Sequence, residues 1–259
     1  TGLATGWIET GLLSLATHRD RMTMLERQVS LGKGFGLDAY EVSLKEASEL
    51  FPPGRFDDAV GAVFSPNDGR VNPSDTAAAL ARGARDRGVK IYEDTPVTGF
   101  EKVNGRVTAV VTDRGRIACE GVAICAGLWS REIAALAGAP APLHACEHFY
   151  LLTKPIDGID RHFPTLSDRD GYLYIRDEVG GILAGCFEPN ARALPLEKLP
   201  RDFSFDLLNE DWDHFEPMMR NAIHRVPALE TAEVRMLLNG PESFTLDGHF
   251  MLGESPSVD

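Results

Sequence analysis

The chain has 259 residues, of which 43% are hydrophobic and 25% charged, a composition that can bury a substantial core and makes a globular chain, not a disordered one, the default reading. Thirty-nine acidic against 26 basic residues give a formal net charge of −13, so the basic footprint of a nucleic-acid or anionic-membrane binder is missing and a small-molecule partner is expected. No apolar run approaches the ~20 residues of a membrane-spanning helix, and no signal segment opens the chain. The four cysteines, Cys119, Cys125, Cys146 and Cys186, show no C-x-x-C pairing and read as reduced core residues.

Glu9 to Ala16 alternates like a strand, and His18 to Leu31 repeats apolar residues at helical spacing. Ser43-Leu44-Lys45-Glu46 has capping-box spacing for a short helix to Leu50. A strand over Ala59 to Phe64 closes at the turn Pro66-Asn67-Asp68-Gly69, and Asn72-Pro73 caps a helix of small residues through Ala84. Val89 to Tyr92 then reads as a buried strand, the second half of a βαβ unit, which points to a parallel α/β sheet.

A three-stranded meander follows: Val97 to Val103, the turn Asn104-Gly105, Arg106 to Thr112, the turn Arg114-Gly115, and Arg116 to Cys119. Val122 to Cys125 is expected as an inner strand, Ala126-Gly127 as a tight turn and Ser130 to Ala137 as a helix. Beyond Pro142, alternating strands at His144 to Thr153, Tyr172 to Arg176 and Gly181 to Phe187 suggest an antiparallel sheet. An amphipathic helix over Asp211 to Arg225 and strands at Val234 to Leu238 and Phe250 to Leu252 complete the pattern. The fold class is α/β with α+β character.

Gly32-Lys33-Gly34-Phe35-Gly36 is not a phosphate cradle, because it follows a helix, opens none, and lacks G-x-G-x-x-G spacing. Three other stretches are the candidates for chemistry. Ala126-Gly127 ends an apolar run where a backbone can approach a ligand, although an ordinary β-to-α turn explains it equally well. Asn239 to Gly248, followed by Leu252-Gly253-Glu254, reads as two polar glycine-containing turns, either a ligand loop or a plain hairpin connection. Period-two alternation puts Cys146, His148, Tyr150 and Leu152 on one face of a strand, and Tyr172, Tyr174 and Arg176 on one face of another. Those faces form either a pocket wall or an exposed sheet surface. The remaining histidines show no metal-ligand spacing, and no metal is expected.

Several of these segments resemble, in order, the dimethylglycine and sarcosine dehydrogenase group of the D-amino-acid-oxidase-like flavoproteins. They are Ala126-Gly127-Leu128-Trp129, Glu147-His148-Phe149-Tyr150, Gly171 to Arg176, Phe187-Glu188-Pro189, Asp211 to Phe215, and the group-specific Asn239-Gly240-Pro241-Glu242-Ser243-Phe244-Thr245. The resemblance implies a partial Rossmann-like FAD-binding domain (71–140 and 236–259) interleaved with an antiparallel substrate domain (1–70 and 141–235). It also implies oxidation of an N-methyl amino acid by FAD. On that resemblance His148 and Tyr174 orient and tune the substrate amine, while Tyr150, Tyr172 and Arg176 are candidates to bind the substrate. Val97 and Ala126, Gly127, Leu128 and Trp129 would contact FAD, and Gly240, Pro241, Glu242 and Ser243 would flank its ring system.

The family's opening G-x-G-x-x-G unit is expected before Thr1 and its closing strand and helix after Asp259, and tetrahydrofolate would concern only a further folate domain. A cytoplasmic location, or the mitochondrial matrix in a eukaryote, goes with this reading. Two alternatives stand beside it: a D-amino-acid or glycerol-3-phosphate dehydrogenase of the same superfamily, and a non-catalytic ligand-binding module.

Overall fold

A computed structural model describes residues 1–200 and 202–258. The chain opens with β1 (Ile8–Glu9) and β2 (Leu12–Ala16), continues through α1 (Arg19–Gly34), β3 (Tyr40–Val42), α2 (Leu44–Leu50), β4 (Gly61–Ser65) and β5 (Gly69–Arg70), and reaches α3 (Pro73–Asp86). A meander of β6 (Val97–Val103), β7 (Arg106–Thr112) and β8 (Gly115–Ala118) precedes α4 (Ser130–Ala137). The long strand β9 (Leu143–Thr153) leads into β10 (Thr165–Asp168), β11 (Leu173–Glu178) and β12 (Gly181–Cys186), followed by α5 (Trp212–Arg225) and β13 (Val234–Thr245).

Local chemistry sets these boundaries. Ser43 and Glu46 form a reciprocal capping box at α2, Asn72 with Pro73 opens α3, and the Asp211 carboxylate accepts the His214 N–H at the start of α5. The expected strand over Glu9 to Ala16 breaks at Gly11, where φ is +80° and a Cβ would fall 2.4 Å from the Phe64 ring. Asn104 and Gly105 both take positive φ, as the two-residue hairpin requires.

The chain forms two compact units. The first comprises residues 1–88, 148–190 and 208–239; the second comprises 89–147, 191–207 and 240–259. The main sheet has eight strands in the order β13-β9-β12-β11-β10-β2-β4-β3. Of the pairings given for it, β2 with β10 is parallel and the rest are antiparallel. One core fills the first unit, with Leu13, Phe51, Phe149, Leu166, Ile175 and Phe215 all nearly inaccessible. Each contributes about 1.5–3 kcal/mol of burial. The second unit has a small core of Ala134, Ala137 and Ala139 packed with Phe100 and Ile124.

Three expected strands do not form. Val89–Tyr92, Val122–Cys125 and Phe250–Leu252 run without a ladder, and Val89, Ile91, Tyr92, Phe250 and Leu252 are exposed. Their apolar sequence specifies burial, but among the described residues no strand stands beside them to accept the backbone hydrogen bonds. The parallel α/β arrangement expected after α3 is therefore absent from the described residues. Conversely, Asn239–Thr245 continues β13 instead of forming a loop, and Gly32-Lys33-Gly34 is the last turn of α1. The core reading of the cysteines holds for Cys186 alone, since Cys125 is exposed and Cys119 and Cys146 are half-buried.

One charged cluster lies inside the first unit. The Arg225 side chain is 2% exposed and donates to Asp168 Oδ2 at 2.8 Å, to Asp58 Oδ1 at 2.8 Å and to the Arg55 carbonyl. Hydrogen bonding from Arg225, aided by His224, holds the Asp58 carboxyl down at about 2. Its contribution to stability is therefore present above the ordinary carboxylate value of roughly 3.9 and is lost as pH falls toward about 2. Thermal melts from pH 7 to pH 2 are expected to show that acid loss, and Asp58→Asn is expected to flatten it while lowering stability at neutral pH.

Candidate functional site

The site in the first unit is built on three adjacent strands, β9, β12 and β11. Register places Gly185 of β12 opposite Tyr150 of β9 on one side and Tyr174 of β11 on the other. His148 Nε2 lies 3.2 Å from Tyr174 Oη, and the two rings are nearly parallel, with 5° between their planes. Phe187 completes the group, its ring centroid 4.7 Å from His148 and 5.6 Å from Tyr174. A half-buried imidazole, a phenol and an exposed aromatic face thus share one side of the sheet.

Tyr150 stands beside this group. Burial raises its phenol above the usual value, the Arg176 charge lowers it and the Glu178 charge raises it, so it remains a neutral donor. Arg176 is engaged already, with Nη1 2.5 Å from Glu178 Oε2 and 2.8 Å from the Asp177 carbonyl. It lines a hollow of about 360 Å³ together with Arg70, Arg161 and the start of α3. Tyr172 lies just before β11 at φ +60° and is exposed, so strand alternation does not extend to it. The structure therefore brings together His148, Tyr174 and Tyr150, sets Arg176 in the neighbouring hollow and leaves Tyr172 at the turn.

Two participants carried no assignment from the sequence. Phe187 sits one residue beyond β12, and its N–H donates to the Tyr172 carbonyl at 2.9 Å, which keeps it in register with the strand face. Gly185 is the next-to-last residue of β12, within the ladder, where glycine is costly, the local signal that marks a close approach. On the opposite side of the sheet, His214 Nε2 pairs with Glu188 Oε1 at 2.9 Å, and Cys186 Sγ lies 3.5 Å from Glu188 Oε2. No group of three or more metal-ligating side chains occurs among the described residues.

In the second unit, Ala126 precedes a 3-10 turn over Gly127–Trp129 that runs into α4. Neither helical start has a side-chain cap; the Trp129 N–H donates to the Ala126 carbonyl at 3.1 Å and the Ser130 N–H to the Gly127 carbonyl. Gly127 has φ +52°, and a Cβ there would meet nothing within 4 Å. Trp129 is 46% exposed. Val97 opens β6, while Gly240, Pro241, Glu242 and Ser243 lie along β13.

The FAD dependent oxidoreductase family matches residues 1–259, the whole chain. The chain belongs to this family. Mouse mitochondrial pyruvate dehydrogenase phosphatase regulatory subunit is 43% identical over 261 residues, covering 100% of this chain and 30% of that protein. Human mitochondrial sarcosine dehydrogenase is 36% identical over 263 residues, covering 100% of this chain and 28% of that protein. The chain thus spans under a third of the length of these relatives. A crystal structure of L-proline dehydrogenase from P. horikoshii superposes with a TM-score of 0.81 at 23% identity, covering 98% of this chain and 66% of that one, which establishes a shared mixed α/β fold. The cofactor of the family is FAD, and the turn at Gly127 has open space above its backbone, so nothing of this unit bars a ligand there.

The cysteines provide a check on the site's floor. Burial, reinforced by the Glu188 charge, pushes the Cys186 thiol far above its usual range. Pulse alkylation at about pH 8, near the ordinary thiol pKa, read by peptide mass spectrometry, is expected to modify Cys125 promptly and Cys186 only after unfolding.

Proposed function

We propose that the protein carrying this chain oxidises an N-methyl amino acid of the sarcosine or dimethylglycine type. The observation that carries the reading is the 3.2 Å contact of His148 with Tyr174, walled by Phe187, on one face of the sheet. FAD, when bound, supplies the acceptor for the hydride. Ala126, Gly127, Leu128, Trp129 and Val97 would hold its nucleotide portion, and Gly240, Pro241, Glu242 and Ser243 would lie beside its ring system.

The residues of the first unit manage the amine. An N-methyl amino acid reaches the protein as an ammonium, whose lone pair is tied up and cannot assist departure of hydride from the neighbouring carbon. The faces of Phe187 and Tyr174 attract a methylated ammonium through their ring quadrupoles, worth about 0.5–2 kcal/mol. A phenol that donates to His148 Nε2 leaves its own oxygen lone pairs to accept the ammonium proton, so Tyr174 hands one proton to His148 as it takes another. The amine nitrogen is then neutral, and hydride leaves its carbon to give an iminium. Tyr150, Tyr172 and Arg176 are assigned to the substrate carboxylate, Tyr150 as a neutral donor and Arg176 as a cation already balanced by Glu178.

Human sarcosine dehydrogenase, similar over the whole chain, supports the N-methyl substrate class. The mouse relative at 43% identity is named a regulatory subunit, which favours a second reading in which this fold binds a ligand without turnover. Anaerobic mixing of the full-length flavoprotein with sarcosine, dimethylglycine, a D-amino acid and glycerol 3-phosphate decides between them. Bleaching of the flavin by the N-methyl amino acids alone is expected; an unbleached flavin with all four would favour the regulatory reading. His148→Ala is expected to slow flavin reduction by about 10²–10⁴-fold, and Tyr174→Phe by about tenfold or more, with both variants folded.

A further inference from the structure

The pair of His148 and Tyr174 is rooted on strands that are not neighbours. β12 runs between β9 and β11, so their backbones stand two strand spacings apart, ~9.5 Å. A phenol from β11 reaches an imidazole on β9 only by passing over the middle strand. It passes at Gly185, the residue paired with Tyr174 on one side and Tyr150 on the other. A Cβ at position 185 would stand 1.9 Å from Tyr174 Cζ, 2.2 Å from Oη and 2.4 Å from Cε1, inside any real contact distance. The next residue on the same face, Leu183, carries a buried side chain between Leu152 and Arg176, so the gap is confined to one position.

The backbone itself gives no reason for glycine here. Gly185 is not among the residues with positive φ, and glycine within a strand forfeits roughly 0.5–1 kcal/mol of conformational entropy relative to alanine. We infer that Gly185 is a positioning residue whose missing side chain admits the Tyr174 phenol across β12 to His148. The inference rests on the proposed role of that pair and adds the element that makes their contact possible. It also sets how far the floor of the site drops beneath the rings, since Phe187 follows two residues later on the same face.

The test uses the full-length flavoprotein with Gly185→Ala, Tyr174→Phe, Tyr174→Ala and the double variant Gly185→Ala/Tyr174→Ala. A crystal structure of Gly185→Ala is expected to show Tyr174 Oη beyond the ~3.5 Å reach of His148 Nε2. Its flavin reduction at saturating substrate should fall about tenfold or more, and the pH midpoint of that reduction should move as it does in Tyr174→Phe. In the Tyr174→Ala background, the same change at 185 should add less than about twofold, because the group it displaces is gone. Should Gly185→Ala alone fail to fold, the double variant decides, and recovery of the Tyr174→Ala melting temperature upholds the inference. A Gly185→Ala protein that keeps the His148–Tyr174 contact and wild-type rates, or a double variant as damaged as Gly185→Ala, overturns it. If the contact breaks while rates hold in every variant, Gly185 positions Tyr174 as inferred and the proposed catalytic role of the pair falls instead.

Discussion

The Arg225 guanidinium, sealed in the first unit with Asp168 and paired on its outer side with the exposed Asp58, is the contact on which the geometry of the sheet depends. Burying the Arg225–Asp168 pair yields little net stability, because desolvation consumes most of the Coulombic gain, but it fixes positions strictly since neither partner can leave without stranding the other. Asp168 ends β10 and also accepts the Gly171 N–H at 2.9 Å, while Asn221, one turn before Arg225, donates to the Gly171 carbonyl at 3.1 Å. Asp170, in the same turn, accepts from Thr17 and Arg21 at the junction of β2 and α1. The turn into β11 is thus held from three directions. That restraint keeps Tyr172 at positive φ and starts β11 in the register that puts Tyr174 over Gly185.

The neighbouring turn follows the same logic. Asp177 is the last inward-facing residue of β11, a buried carboxylate that accepts from Arg70 at 2.7 Å and from the Gly180 N–H at 2.9 Å. Both ends of β11 are therefore fastened by aspartates whose partners come from distant segments, and the strand between them presents aromatic and cationic side chains upward and Leu173, Ile175 and the core downward. A site that must hold two rings within hydrogen-bonding distance benefits from a strand unable to slide, since a slip of one residue would turn every side chain to the other face.

Much of this was legible in the sequence wherever the cause was local. Ser43 with Glu46, Asn72 with Pro73, Asp211 and Asn104-Gly105 each satisfy nearby backbone groups, so the elements they delimit form where expected. A strand's two-residue period put His148 and Tyr174 on polar strand faces irrespective of what packs below, and the family resemblance singled them out from those faces. What the sequence did not reveal depends on partners far along the chain. Arg225 meets Asp168 and Asp58 across separations of 57 and 167 residues, and no spacing rule connects them. Gly185 lay in plain view, yet its meaning depends on a ring from another strand. Val122–Cys125 has the composition of an inner strand, but composition specifies only a wish for burial, and a ladder requires an edge to pair with.

Those extended apolar segments govern how the polypeptide behaves as a material. Val89–Tyr92 and Val122–Cys125 combine β-branched and aromatic residues with backbone N–H and C=O groups in no described ladder, the features that let one edge template another. A net charge of −13 keeps separate molecules apart at low ionic strength, and salt screens that repulsion within about 10 Å at 0.1 M. Surface charge and exposed apolar backbone therefore act in opposition in any encounter between two molecules.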